Sequence, residues 1–340
     1  MAVGRDGIVD FEEILYFWGM KRLFLLAVLL VAAGLTGMAQ FVPNREVELP
    51  APETYLFAHR DTCDLFLDIY QPAAGKDLLP DGRRKPTVLY VFGGGFITGR
   101  RNDPFCNSWF DLMISDGYRV VSVDYRLGLK GVPMRFDLAH LVDAAKKSKK
   151  AVDMGVEDVF SAIKYLSEHP ELGVDMDNIV ISGSSAGAMI SLSSVWESCN
   201  SRELSKGLPE GFRFKGVMSF AGAIMTDTGK PSYGVPPCPH LLFHGTNDGA
   251  VAYGKTAFGK RGIYGSDELV KILAKIHCPY QIYRYKDHSH DMAANMEETW
   301  PEQKRFLEHS VIAGEALTLD ALVDDPAMTV RQTITLSDIY

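Results

Sequence analysis

The sequence predicts an α/β protein built on a mostly parallel central sheet with helices on both faces. Three observations carry this: short apolar runs recur along the chain, the segments between them show helical periodicity, and glycines cut several runs off abruptly. With 340 residues, 46% of them hydrophobic and 23% charged, the chain can bury one large core. We expect residues 40–340 to form a single domain.

Taken in order, Tyr55 to His59 and Leu65 to Tyr70 read as two early strands, the second ending at Gln71-Pro72. Thr87-Val88-Leu89-Tyr90-Val91-Phe92 is apolar throughout and short enough for a central strand. A helix through Trp109 to Ile114 and a strand at Arg119 to Val123 follow. Gly128 to Lys150 reads as irregular, and its Lys146-Lys147-Ser148-Lys149-Lys150 run as a solvated face. Glu157 to Glu168 is an amphipathic helix, with Val159, Ile163 and Leu166 at helical spacing. Asn178 to Ile181 is a strand, and helix resumes from Met189. Further strands fit Gly216 to Phe220, His240 to Phe243 and Tyr280 to Tyr285, with a helix at Glu268 to Ile276 and a last one at Glu302 to Ile312. Gly314 to Tyr340 has weak periodicity and is left unassigned.

Ahead of the domain, Met20-Lys21-Arg22 precedes the apolar run Leu23 to Ala33 and the small-residue site Gly37-Met38-Ala39. That is the layout of a cleaved signal peptide, with Met1 to Gly19 as an extension before it. Its uncharged stretch falls short of the roughly 20 residues that span a bilayer, so no stable membrane insertion is expected after cleavage. The expected location is secreted or periplasmic. A net charge of -8 offers no basic patch, which argues against a nucleic-acid partner. Five cysteines are too few for a disulfide scaffold; Cys238 and Cys278 each precede a strand and either pair or stay as buried thiols.

The chemistry concentrates in four places. Gly183-Ser184-Ser185-Ala186-Gly187 lies between a strand and a helix, where a sharp turn lifts Ser185 out as a nucleophile and flanking glycines avoid crowding it. Ser182 and Ser184 lack glycines two positions away on both sides. Gly93-Gly94-Gly95-Phe96 ends another central strand upstream, where backbone amides can receive an oxyanion. His244-Gly245-Thr246-Asn247-Asp248 follows a third strand and offers Asp248 as an orienting carboxylate. Asp287-His288-Ser289-His290-Asp291 follows a fourth and offers two histidines as base. Asp287 and Asp291 read as helix caps or solvated carboxylates. No cluster has metal-ligand spacing beyond the His288 and His290 pair, and no metal or organic cofactor is implied.

With these motifs in this order, residues from about Leu65 to Ile312 resemble the α/β-hydrolase superfamily, in its carboxylesterase and hormone-sensitive-lipase-like branch. Asp124-Tyr125-Arg126-Leu127 after a strand, and Glu157-Asp158 read as opening a helix, add to the likeness. The resemblance implies an α/β-hydrolase fold and a serine esterase that forms an acyl-enzyme. Ser185 would be its nucleophile, His290 its base, Asp248 its orienting acid, and the amides of Gly94, Gly95 and Ala186 its oxyanion hole. It favours His290 over His288 because a small residue, here Ser289, commonly precedes the base. Substrates would be small-molecule or carbohydrate-linked esters, with Gly128 to Lys150 as either a lid or a solvated surface; the oligomeric state is not legible. A peptidase of the same fold and a non-catalytic hydrolase-like binding protein are the alternatives. One position departs from the pattern: Phe92 stands where the family usually has histidine before its glycines, so support for that loop must come from elsewhere.

Overall fold

The computed structural model describes residues 46–134, 140–326 and 328. The signal-peptide reading over Met1 to Ala39 lies outside the described residues, as does all of the chain after residue 328.

The strands of the main sheet are β1 (Glu53–His59), β2 (Asp64–Tyr70), β3 (Thr87–Val91), β4 (Arg119–Val123), β5 (Ile179–Ser184), β6 (Gly216–Phe220), β8 (His240–Gly245), β11 (Tyr280–Tyr285) and β12 (Leu319–Val323). They are ordered β1-β2-β4-β3-β5-β6-β8-β11-β12. The β1–β2 and β2–β4 pairs are antiparallel, and every later pairing is parallel. β3, β5, β6 and β8 are buried along their whole length, which is why they read in the sequence as unbroken apolar runs and not as alternating ones. Helices α1 (Asn107–Ser115), α2 (Leu141–Glu168), α3 (Ala186–Cys199), α4 (Ser266–Lys275) and α5 (Trp300–Arg305) join the strands, and α5 runs on through Phe306–Ile312 as wider π turns. This is the α/β-hydrolase fold that the motifs imply.

Four readings need correction. The stretch from Gly128 to Lys150 taken as irregular is helix from Leu141 onward, and residues 135–139 of it lie outside the described residues. The lysine run hid the period: Ala144, Ala145, Ser148, Ala151 and Val152 are all buried, so an inward stripe passes between the charges. Glu157 and Asp158 therefore sit in the middle of α2 and do not open it. Asp158 is buried and joins Arg126 after β4 (2.9 Å) to Arg60 between β1 and β2 (2.9 Å).

A second sheet, β7 (Ala223–Thr226), β10 (Arg261–Gly265) and β9 (Lys255–Phe258) in that order, escaped the sequence reading. Its strands are four or five residues long, and β9 is polar and half exposed, so no long apolar run marks them. β12 was missed for the same reason, since its parallel pairing with β11 is on the sheet's outer edge and Leu322 is exposed. Cys238 and Cys278 are free thiols, the Cys278 sulfur lying 3.5 Å from the Cys238 carbonyl oxygen.

Candidate active site

The parallel strands leave a crevice beyond their carboxyl ends, and the loops after β3, β5, β8 and β11 meet there. Ser185, between β5 and α3, has φ 51° and ψ -118°. L-residues rarely adopt that conformation, so the surrounding structure must impose it. Bare glycines make the turn possible: a Cβ on Gly187 would lie 2.0 Å from the Val91 carbonyl oxygen, and one on Gly183 would lie 2.3 Å from that of Gly187. Ser185 N–H donates to the Phe220 carbonyl on β6 (2.9 Å), and Ser184 Oγ donates to the Ala293 carbonyl (2.5 Å), tying the turn to the loop that brings His290.

His290 enters from the loop after β11. Its Nε2 lies 2.8 Å from Ser185 Oγ and its Nδ1 lies 2.8 Å from Asp248 Oδ2. The Asp248 side chain is fully buried, and its Oδ1 accepts from the backbone N–H groups of Ala250 and Val251, both at 2.8 Å. The histidine loop crosses directly over the end of β8, where a Cβ on Gly245 would lie 2.2 Å from the Ser289 carbonyl oxygen. Burial is the largest influence on both ionisable groups and opposes their charged forms, but their mutual attraction outweighs it. Asp248, facing His290 and His244, is held well below the usual carboxylate range. His290 is raised above the ordinary imidazole value, by Asp248 first and Asp291 second.

The competing His288 pairs with another carboxylate, its Nδ1 lying 2.7 Å from Asp291 Oδ2. Asp291 is thus no solvated carboxylate: it is fully buried, and its Oδ1 also accepts from the Ser289 N–H (2.9 Å). The short turn His290–Ala293 folds it back under the loop, a contact that spacing does not reveal. Asp287 is exposed at φ 62°, its N–H donating to Thr246 Oγ1 (2.9 Å).

Gly94 (φ 123°) and Gly95 (φ 60°) form a tight turn after β3, closed by Ile97 and Thr98 N–H groups donating to the Gly94 carbonyl at 3.0 Å each. The turn lies against the serine, since a Cβ on the adjoining Gly93 would stand 3.4 Å from Ser185 Cβ. Ala186 opens α3, so its N–H is among those with no acceptor inside the helix.

The loop support that Phe92 cannot give through its side chain comes from Tyr125. The Tyr125 hydroxyl donates to the Phe92 carbonyl at 3.1 Å, and the two rings stack at 4.4 Å. Tyr125→Phe strands that buried carbonyl, and we expect a loss of about 1–2 kcal/mol, read as a Tm lower by a few degrees. Hydrolysis should fall severalfold with the loop loosened. Unchanged Tm and rate would show that stacking alone suffices.

Sequence reasoning also missed His244. It is fully buried, with Nε2 3.2 Å from Asp248 Oδ2 and 3.1 Å from the Val251 carbonyl oxygen, and Nδ1 2.8 Å from Ser266 Oγ. The available signal was a histidine ending an otherwise apolar strand, where a buried imidazole needs partners.

These features place a serine, a histidine and an aspartate in line beside a glycine turn on an α/β-hydrolase fold. Residues 44–208 match the carboxylesterase family. Among curated relatives it is 32% identical over 114 residues to esterase LipI of Mycobacterium tuberculosis, covering 33% of this chain and 29% of that protein. It is 28% identical over 145 residues to the non-reducing polyketide synthase prhL of Penicillium brasilianum, covering 42% of this chain and 5% of that protein. The chain thus spans less than a third of the length of these relatives. A butyrate-bound esterase 2 of Thermogutta terrifontis superposes with a TM-score of 0.54 at 20% identity, covering 80% of this chain and all of the other.

Proposed function

We propose that this protein is a carboxylic ester hydrolase that works through a serine acyl-enzyme. The observation that carries the reading is the unbroken line from Ser185 Oγ through His290 to Asp248, two contacts of 2.8 Å made by groups from three separate loops. The matched carboxylesterase segment and the esterase relative support the same class.

In this reading, Ser185 Oγ attacks the ester carbonyl carbon as its proton passes to His290 Nε2, and Asp248 stabilises the resulting imidazolium. The amides of Gly94, Gly95 and Ala186 take the charge that develops on the carbonyl oxygen. His290 then protonates the leaving alkoxide, the acyl group stays on Ser185, and water activated by the same histidine releases the acid. The apolar run at Leu23 to Ala33 supports a location outside the cytoplasm. An exported esterase meets acyl groups on sugars and plant polymers, so acetylated carbohydrates belong in the substrate panel.

The test is hydrolysis of p-nitrophenyl esters of increasing acyl length, with a fluorophosphonate probe to mark the nucleophile. We expect turnover and a single adduct on the peptide carrying Ser185; no turnover, or an adduct elsewhere, would overturn the reading. The base must be neutral to accept the serine proton. Because His290 is raised, kcat/KM should fall as pH drops through a midpoint above the ordinary 6.5. A midpoint below 6.5 would mean that the Asp248 pairing is not maintained during turnover.

A further inference from the structure

Asp248 Oδ2 is approached by two imidazoles from different directions. His290 Nδ1 lies 2.8 Å from it and His244 Nε2 lies 3.2 Å from it, while Oδ1 already accepts two backbone N–H groups. His244 has little freedom to do anything else. Its Nε2 faces a carboxylate oxygen and the Val251 carbonyl oxygen, both acceptors, so this nitrogen must carry a proton. Its Nδ1 is then positioned to accept from the Ser266 hydroxyl at the start of α4, 2.8 Å away, which holds the ring in that tautomer. The Tyr253 ring closes the remaining side edge-on at 5.5 Å, and Arg284 donates to the Tyr253 hydroxyl from behind.

We propose that His244 is a positioning residue of the hydrolytic site, a second imidazole that shares Asp248 Oδ2 with His290 and fixes how that carboxylate meets the base. The proposal rests on the Ser185, His290 and Asp248 reading of the site. Two consequences follow from elementary electrostatics. A carboxylate anchored by four donors keeps a single orientation, so His290 is aimed at Ser185 before substrate arrives. A donor on Oδ2 also draws off part of the charge that Asp248 would otherwise apply to His290, so the base is less basic than it would be with the carboxylate to itself. That sign holds whether His244 is neutral or protonated, because both forms withdraw charge from the same oxygen. The charged and titratable groups facing this unit are Asp248 and Asp291 beside His290, Tyr253 against His244, and Arg284 beyond Tyr253.

The test compares pH profiles of kcat/KM for the intact protein, His244→Leu and His244→Gln, with fluorophosphonate titration of Ser185 to count working sites. In His244→Leu we expect kcat to fall on the order of tenfold at unchanged KM. The acid limb should move up by roughly half to one pH unit. His244→Gln keeps an amide N–H that reaches Oδ2, and should restore most of both. If His244→Leu does not fold, Ser266→Ala serves, since a ring that loses this anchor holds Oδ2 less firmly and should move the limb in the same direction by less. An acid limb that stays in place in the folded variant overturns the proposal, because a ring that only fills space would leave the pKa of His290 untouched. An intact protein that fails to label at Ser185 would count against the reading of the site itself. Normal labelling with an unmoved limb counts against His244 alone.

Discussion

Ser185→Ala should lower kcat for ester hydrolysis by roughly 10⁶-fold while leaving the fold and Tm essentially intact. The side chain is half-buried at the crevice and touches His290, so removing one oxygen opens no core cavity. Its backbone conformation is held by contacts other than the hydroxyl. The Ser185 N–H bond to Phe220 and the glycine clearances at Gly183 and Gly187 all remain. With no nucleophile, the variant retains only what the amides of Gly94, Gly95 and Ala186 contribute by binding the developing oxyanion. Steady-state rates with p-nitrophenyl acetate and the loss of fluorophosphonate labelling measure this directly. A variant that keeps even a hundredth of the activity would assign the nucleophile to another residue.

Asp248→Asn should cost about 10⁴-fold in kcat, because an amide cannot satisfy both sides of this position. If its oxygen faces the Ala250 and Val251 N–H groups, its NH₂ faces His290 Nδ1 and His244 Nε2. His290 then turns to the tautomer with its proton on Nε2, which cannot accept from Ser185. If the amide flips, its NH₂ opposes two backbone donors instead, and at least one buried contact is lost either way. Removal of the negative charge also withdraws the main influence that raises His290, so the acid limb should move to lower pH as the rate falls. A rate within tenfold of the original would show that the imidazole is oriented without this carboxylate.

The elements and site groups that could be read from the sequence share one property: each declares itself within about ten consecutive residues. β4, β6 and β11 coincide with the predicted runs, because a strand buried on both faces is apolar at most positions. The first half of α2 was lost because its inward residues are mostly small and lie scattered through a lysine-rich run, leaving little contrast. β9 and β12 were lost because edge strands keep one side or more in water, and β7 and β10 because they are only four and five residues long. The pairing choice within Asp287 to Asp291 could not be made from spacing, since His288 and His290 are equally able to take a carboxylate partner.

What the sequence by itself determined is the layered α/β fold, the turn that exposes Ser185, the glycine turn at Gly94 and Gly95, and the two loops that hold Asp248 and His290. Those follow from local patterning, because burial on both faces demands apolar runs and positive φ demands glycine or imposed strain. Only the tertiary structure decided that His290 reaches the serine while His288 takes Asp291, that Tyr125 supports the loop after Phe92, and that His244 shares the acid. Such contacts join residues up to 105 positions apart through the relative placement of parallel strands. That placement is set by the packing of the whole sheet, and no short stretch of chain encodes it.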